Sequence, residues 1–88
     1  MSRTPVRLRL YTRDGCGLCE EMRREVDGLL DAEPREWELV DVDSDPALAQ
    51  RYGESVPVLF VNERLFAKVR LPGLAARLRL RRAAGLSG

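Results

Sequence analysis

The 88-residue sequence contains no histidine and only two cysteines, and its charges nearly cancel. Without histidine, neither the Cys–His nucleophile pair nor the commonest transition-metal ligand is available. Two cysteines cannot build a disulfide framework, and the loop closed between Cys16 and Cys19 is too short to stabilise a fold appreciably. With 15 basic against 14 acidic residues, no global field draws the chain to nucleic acid or anionic lipid. No apolar run approaches the length of a membrane span, and residues 1–5 lead into a strand-like segment without a signal peptide's apolar stretch. The expectation is a cytoplasmic protein with no nucleic-acid or membrane partner.

What is present suits a soluble domain: 44% hydrophobic and 33% charged residues. A chain of this size buries somewhat over ~60% of its unfolded surface, room for one domain spanning residues 1–88. Val6-Arg7-Leu8-Arg9-Leu10-Tyr11 alternates apolar and basic residues, the period of a strand. Leu18, Met22, Val26, Leu29 and Leu30 then recur at helical spacing until Pro34 forbids continuation. Residues 37–42 read as a second strand. Ser44 or Asp45 can cap a short helix that accepts Pro46 in its first turn and ends near Gly53. The apolar run of residues 57–61 and the segment 64–69 read as a hairpin turned at Asn62-Glu63. A terminal helix starts near Pro72 with Leu74, Leu78 and Ala75 on one face, and residues 83–88 read as a frayed tail. The order is β-α-β-α-β-β-α, an α/β fold with a four-stranded mixed sheet flanked by helices.

The chemistry is expected at the junction of the first strand and first helix. Disulfide exchange needs an attacking thiolate and a second thiol close enough to resolve the mixed disulfide, and C-x-x-C at a helix start supplies both. Cys16 lies where unpaired backbone N–H groups and the helix dipole favour negative charge, which lowers its pKa below about 8.5. Cys19, one turn in, remains the protonated partner. Arg13 favours the thiolate, and Asp14, Glu20 and Glu21 oppose it if they point toward the sulfur. A closed metal site needs four ligands, so two thiolates require a dimer, an outside thiol or a carboxylate.

Ser55-Val56-Pro57 is the second signal. Proline is tolerated as the first residue of a strand, which alone would explain it. The functional alternative is a cis Val56–Pro57 bond that turns the Val56 backbone toward the cysteines to pair with an extended thiol substrate.

Tyr11-Thr12-Arg13-Asp14-Gly15-Cys16-Gly17-Leu18-Cys19, followed by Ser55-Val56-Pro57-Val58, resembles the glutaredoxins of the thioredoxin superfamily, and most closely the small bacterial glutaredoxin-like proteins of undefined function. The resemblance implies a thioredoxin-like fold and a thiol–disulfide oxidoreductase. It makes Cys16 the nucleophile, Cys19 the resolving thiol, Pro57 the cis-proline and Val56 the backbone contact for substrate. Arg13 stands where glutaredoxins often place a lysine for the glycyl carboxylate of glutathione. Gly17-Leu18 replaces their usual proline and aromatic, and Arg70-Leu71-Pro72-Gly73-Leu74 replaces their glycine pair and acidic residue. The implied substrate is a disulfide-containing protein or a low-molecular-weight thiol, handled by a monomer without a resident cofactor. Glutathione, as co-substrate, or a thioredoxin-type reductase recycles it. An iron–sulfur cluster held by Cys16 and an external thiol between two protomers, and a non-catalytic partner-binding module, are the alternatives.

Other features carry less. Asp41-Val42-Asp43-Ser44-Asp45 opens like a calcium loop but has Pro46 and Tyr52 where glycine and glutamate are required. A strand end and helix cap explain these acids, with Asp41 a salt-bridge partner. Arg77, Arg79, Arg81 and Arg82 read as a solvated face beside a helix C-terminus. Trp37, Tyr52, Phe60 and Phe66 read as core or rim packing.

Overall fold

Every second residue of the first strand is buried as far as Leu10, and that alternation fixes how the chain folds around it. The structure, a computed structural model, describes residues 4–86; expectations drawn from residues 1–3 and 87–88 lie outside them. In β1 (Val6–Thr12), Val6, Leu8 and Leu10 are buried while Arg7 is exposed. A parallel crossover through α1 (Gly17–Leu29) brings β2 (Arg35–Asp41) beside β1, with Leu8 opposite Trp37. A 3-10 turn (Val42–Ser44) and α2 (Pro46–Tyr52) return the chain to the other side of β1. There β3 (Val58–Val61) pairs antiparallel, with Tyr11 opposite Val58, and β4 (Arg64–Lys68) completes the hairpin. The sheet order is β2-β1-β3-β4, the expected mixed four-stranded sheet.

The core lies between one sheet face and the helices. Leu8, Leu10, Leu59, Val61 and Ala67 meet Cys19, Met22, Val26 and Leu30, a stripe at helical spacing along α1 and its end. Asp27 fastens this helix to β2: its carboxylate accepts from Trp37 Nε1 at 2.9 Å and Arg35 Nε at 2.6 Å. Burial alone would raise the Asp27 pKa, but those two hydrogen bonds and the nearby Arg35 and Arg23 charges leave it below its ordinary value. On the opposite face Tyr11 stacks on Tyr52 with ring centroids 4.3 Å apart, and Phe60 meets both edge-on. Farther along that face Arg9 bridges Glu38 and Glu63.

Three expectations at the C-terminus are corrected. Gly73, at φ +65°, opens a 3-10 turn (Gly73–Ala75), and the helix proper, α3 (Ala76–Ala83), starts after it. That offset rotates the buried face: Ala76 and Leu80 point into the core, whereas Leu74 and Leu78 are exposed. Nor is residue 83 the start of a frayed tail within the described chain. Gly85, at φ +77°, donates to the Arg82 carbonyl and Leu86 to that of Arg81, closing the helix with a left-handed cap that seats Ala84 and Leu86 on the core. Arg81, placed with the solvated basic face, lies instead 3.5 Å from Glu33 with only 17% of its side chain exposed.

Candidate active site

Gly15 turns the chain from β1 into α1 with a positive φ of 75°, a conformation that a residue with a Cβ rarely adopts. The Cys16 N–H donates to the Arg13 carbonyl across this turn. Cys16 is the N-cap of α1, and its Sγ accepts a 3.1 Å hydrogen bond from the Cys19 backbone N–H. The sulfur thus occupies the place of a capping oxygen, where the helix's free N–H groups stabilise negative charge. Cys16 is half-buried, whereas Cys19 is 3% exposed. The two are joined as a disulfide, with Cα atoms 5.3 Å apart. One sulfur open to a partner and one shielded behind it is the arrangement that directional exchange requires.

Arg13, expected beside the thiolate, lines the depression of Cys16 and is engaged by groups of its own chain. Its Nε and Nη2 grip the two carboxylate oxygens of Asp43 at 2.9 and 3.0 Å, and its Nη1 donates to the Gly53 carbonyl at 3.0 Å. All three guanidinium nitrogens are therefore used inside the protein. The hydrogen bonds with Asp43 raise the Arg13 pKa, and the same contact lowers that of Asp43. The result is a latch from the loop before Cys16 to the 3-10 turn that precedes α2 and to the residue that follows it. Asp43 was foreseen only as one of several acids at a strand end. The expected salt-bridge partner, Asp41, instead accepts from the Asp43 backbone N–H.

The Val56–Pro57 bond is cis. The β1–β3 register sets Val58 across from Tyr11 and so brings this turn alongside the strand end that leads to Cys16. Pro57 is fully buried, and its carbonyl accepts from the Val69 N–H at 2.7 Å. Val56 packs beside the core cluster, as Cys16 does. Among the described residues, no hydrogen bond within the chain uses the Val56 backbone N–H or C=O, which leaves both free for an extended partner. Val69, where β4 ends, holds a positive φ of 67°, strained for a β-branched residue. Nothing in its residue type signals this.

Two depressions lie along the start of α1. Cys16 opens into one lined by Thr12, Arg13, Asp14, Gly15, Gly17, Glu20 and Asp41. On the far side of Leu18 a larger groove, about 630 Å³, runs along α1 against Leu71 and Leu74. Among the described residues, no group of three or more Cys, Asp or Glu is placed to hold a metal ion, and no helix is long and apolar enough to cross a membrane.

A sequence model described as "Glutaredoxin-like domain (DUF836)" matches residues 7–79. The structure is similar to that of protein Ne2328 from Nitrosomonas europaea, with a TM-score of 0.74 and 29% identity over 99% of this chain and 98% of that one. It is also similar to protein XcR50 from X. campestris, at TM-score 0.56 and 36% identity over 82% of this chain and 89% of that one. A thioredoxin variant from Halobacterium salinarum NRC-1 matches at TM-score 0.54 and 28% identity, over 94% of this chain and 78% of that one. No curated protein matches the sequence. The mixed sheet flanked by helices is thus a thioredoxin-like fold.

Proposed function

Since this chain belongs to the glutaredoxin-like domain family, we propose that it is a thiol–disulfide oxidoreductase in which Cys16 attacks and Cys19 resolves. The observation that carries this reading is the asymmetry of the pair: Cys16 is open and capped by the Cys19 N–H, and Cys19 is buried behind it. In the reduced protein the Cys16 thiolate attacks one sulfur of a substrate disulfide, forming a mixed disulfide and releasing the first substrate thiolate, which takes a proton from water. Cys19 loses its proton and attacks Cys16 Sγ, releasing the second thiol and leaving the Cys16–Cys19 disulfide seen here. Two electrons pass to the substrate. The unpaired Val56 backbone groups support this order, because they can hold a substrate strand beside Cys16 during the first attack.

The enzyme acts as a monomeric reductant in the cytoplasm, where thiols are kept reduced, and is recycled by glutathione or a thioredoxin-type reductase. Trapping tests the assignment. Cys19→Ser accumulates covalent complexes with disulfide substrates that dithiothreitol releases, and Cys16→Ser accumulates none. Equal trapping by both variants reverses or abolishes the assigned roles.

A further inference from the structure

Cys16 opens into a depression whose charge is set by one arginine and three acids, Asp14, Glu20 and Asp41. The arginine does not offset them, because the Asp43 carboxylate matches its charge and holds its Nε and Nη2, and the Gly53 carbonyl takes its Nη1. Glu20 lies in the first turn of α1, where its charge opposes the attraction of the helix end for an anion. The neighbouring groove along α1 is balanced, with Arg70 and Arg77 against Glu21 and Glu25. A disulfide approaching Cys16 Sγ therefore meets a net negative field, and its own charge beside the bonded sulfur sets how often it arrives.

From this we propose that the Cys16 site selects disulfides that carry positive charge next to the sulfur, such as cysteines flanked by lysine or arginine, and disfavours anionic ones, oxidised glutathione included. The inference rests on Cys16 being the attacking thiol. Asp14 and Glu20 act as specificity-determining residues. Asp43 acts through Arg13: while it holds the guanidinium, the arginine's charge is matched and draws a substrate carboxylate less, and among the described residues no other cation lines the depression.

Single-turnover oxidation of the chemically reduced protein separates the two ideas. The probes are cystamine, a dication; bis(2-hydroxyethyl) disulfide, neutral; and 3,3′-dithiodipropionate, a dianion. Oxidised glutathione is a fourth probe. Each rate is divided by that of free dithiothreitol with the same disulfide, which removes leaving-group differences. At low ionic strength the normalised rate for cystamine exceeds that for dithiodipropionate about tenfold, and the gap closes in about 1 M salt, where the screening length is about 3 Å. Removing two of the charges in Asp14→Asn/Glu20→Gln reduces the preference to about threefold. Asp43→Asn frees Arg13 and raises the dithiodipropionate and glutathione rates. Equal normalised rates for the three synthetic disulfides at low salt, or a faster dianion, overturn the charge selection while leaving the exchange reaction standing. Failure to oxidise with the neutral disulfide overturns the reaction itself.

Discussion

Replacing Gly53 with alanine tests whether the latch that holds the cysteine loop is as tight as its geometry. Gly53 sits at φ −55° and ψ −33°, a conformation any residue adopts. On backbone grounds alone Gly→Ala should therefore stabilise the fold by about 0.4–1 kcal/mol. Space dictates the opposite. A Cβ at this position would overlap the Ala49 carbonyl oxygen, which accepts the Gly53 N–H at 2.8 Å, and would lie 2.9 Å from Arg13 Nη2. The first obstacle is backbone and cannot swing aside. The second is held by Asp43. Overpacking of this kind costs about 1–3 kcal/mol, so the net effect is a loss of roughly 1–2 kcal/mol. For a domain of this size that lowers the melting temperature by roughly 5–15 °C. Thermal and urea unfolding of the oxidised protein measure it. Adding Arg13→Ala relieves only part of the loss, because the Ala49 carbonyl remains. A Gly53→Ala protein as stable as the parent, or more so, refutes the close approach of α2 and the Arg13 loop.

Leu80 is fully buried, so Leu80→Ala costs about 2–5 kcal/mol in urea unfolding. Leu74 is fully exposed, and Leu74→Ser stays within about 0.5 kcal/mol; the reverse ranking would restore the helix face expected from the sequence. Acid should weaken the fold through Asp43 and Asp27, whose pKa values in the folded protein lie below the ordinary 3.8. The unfolded chain binds more protons there, so their contribution is complete above about pH 4 and is lost as pH falls through the depressed values. Urea midpoints measured from pH 6 down to about 2.5 follow this loss, and Asp43→Asn has a shallower acid dependence. An unchanged acid slope in Asp43→Asn contradicts the Arg13–Asp43 pairing.

The element order was legible because each segment carried its own period. The alternation in β1, the 3–4 spacing in α1 and the unbroken apolar run in β3 leave few ways to cover one sheet. Cys16 and Cys19 were equally legible, since their spacing and place before a helix are local features. The terminal helix misled for a physical reason. Leu74 and Leu78 are spaced like a buried pair, but Gly73's left-handed turn shifts the phase, and Ala76 and Leu80 take the core side. Arg13 showed its charge in the sequence but not its partner. Asp43 is 30 residues away and meets it only because β2 lies parallel to β1. Val69's backbone conformation had no signal, because a glycine would have announced it and valine does not.

The central claim is that Cys16 is the reactive thiolate and Cys19 the shielded partner. Its most direct test is the pH dependence of alkylation of the fully reduced protein by iodoacetamide, with mass spectrometry assigning the modified residue. Cys16 is expected to react first, with a midpoint below the free-thiol value of about 8.5, and Cys19 to lag at every pH. Reaction of both cysteines with the profile of a free thiol, or faster modification of Cys19, would contradict it.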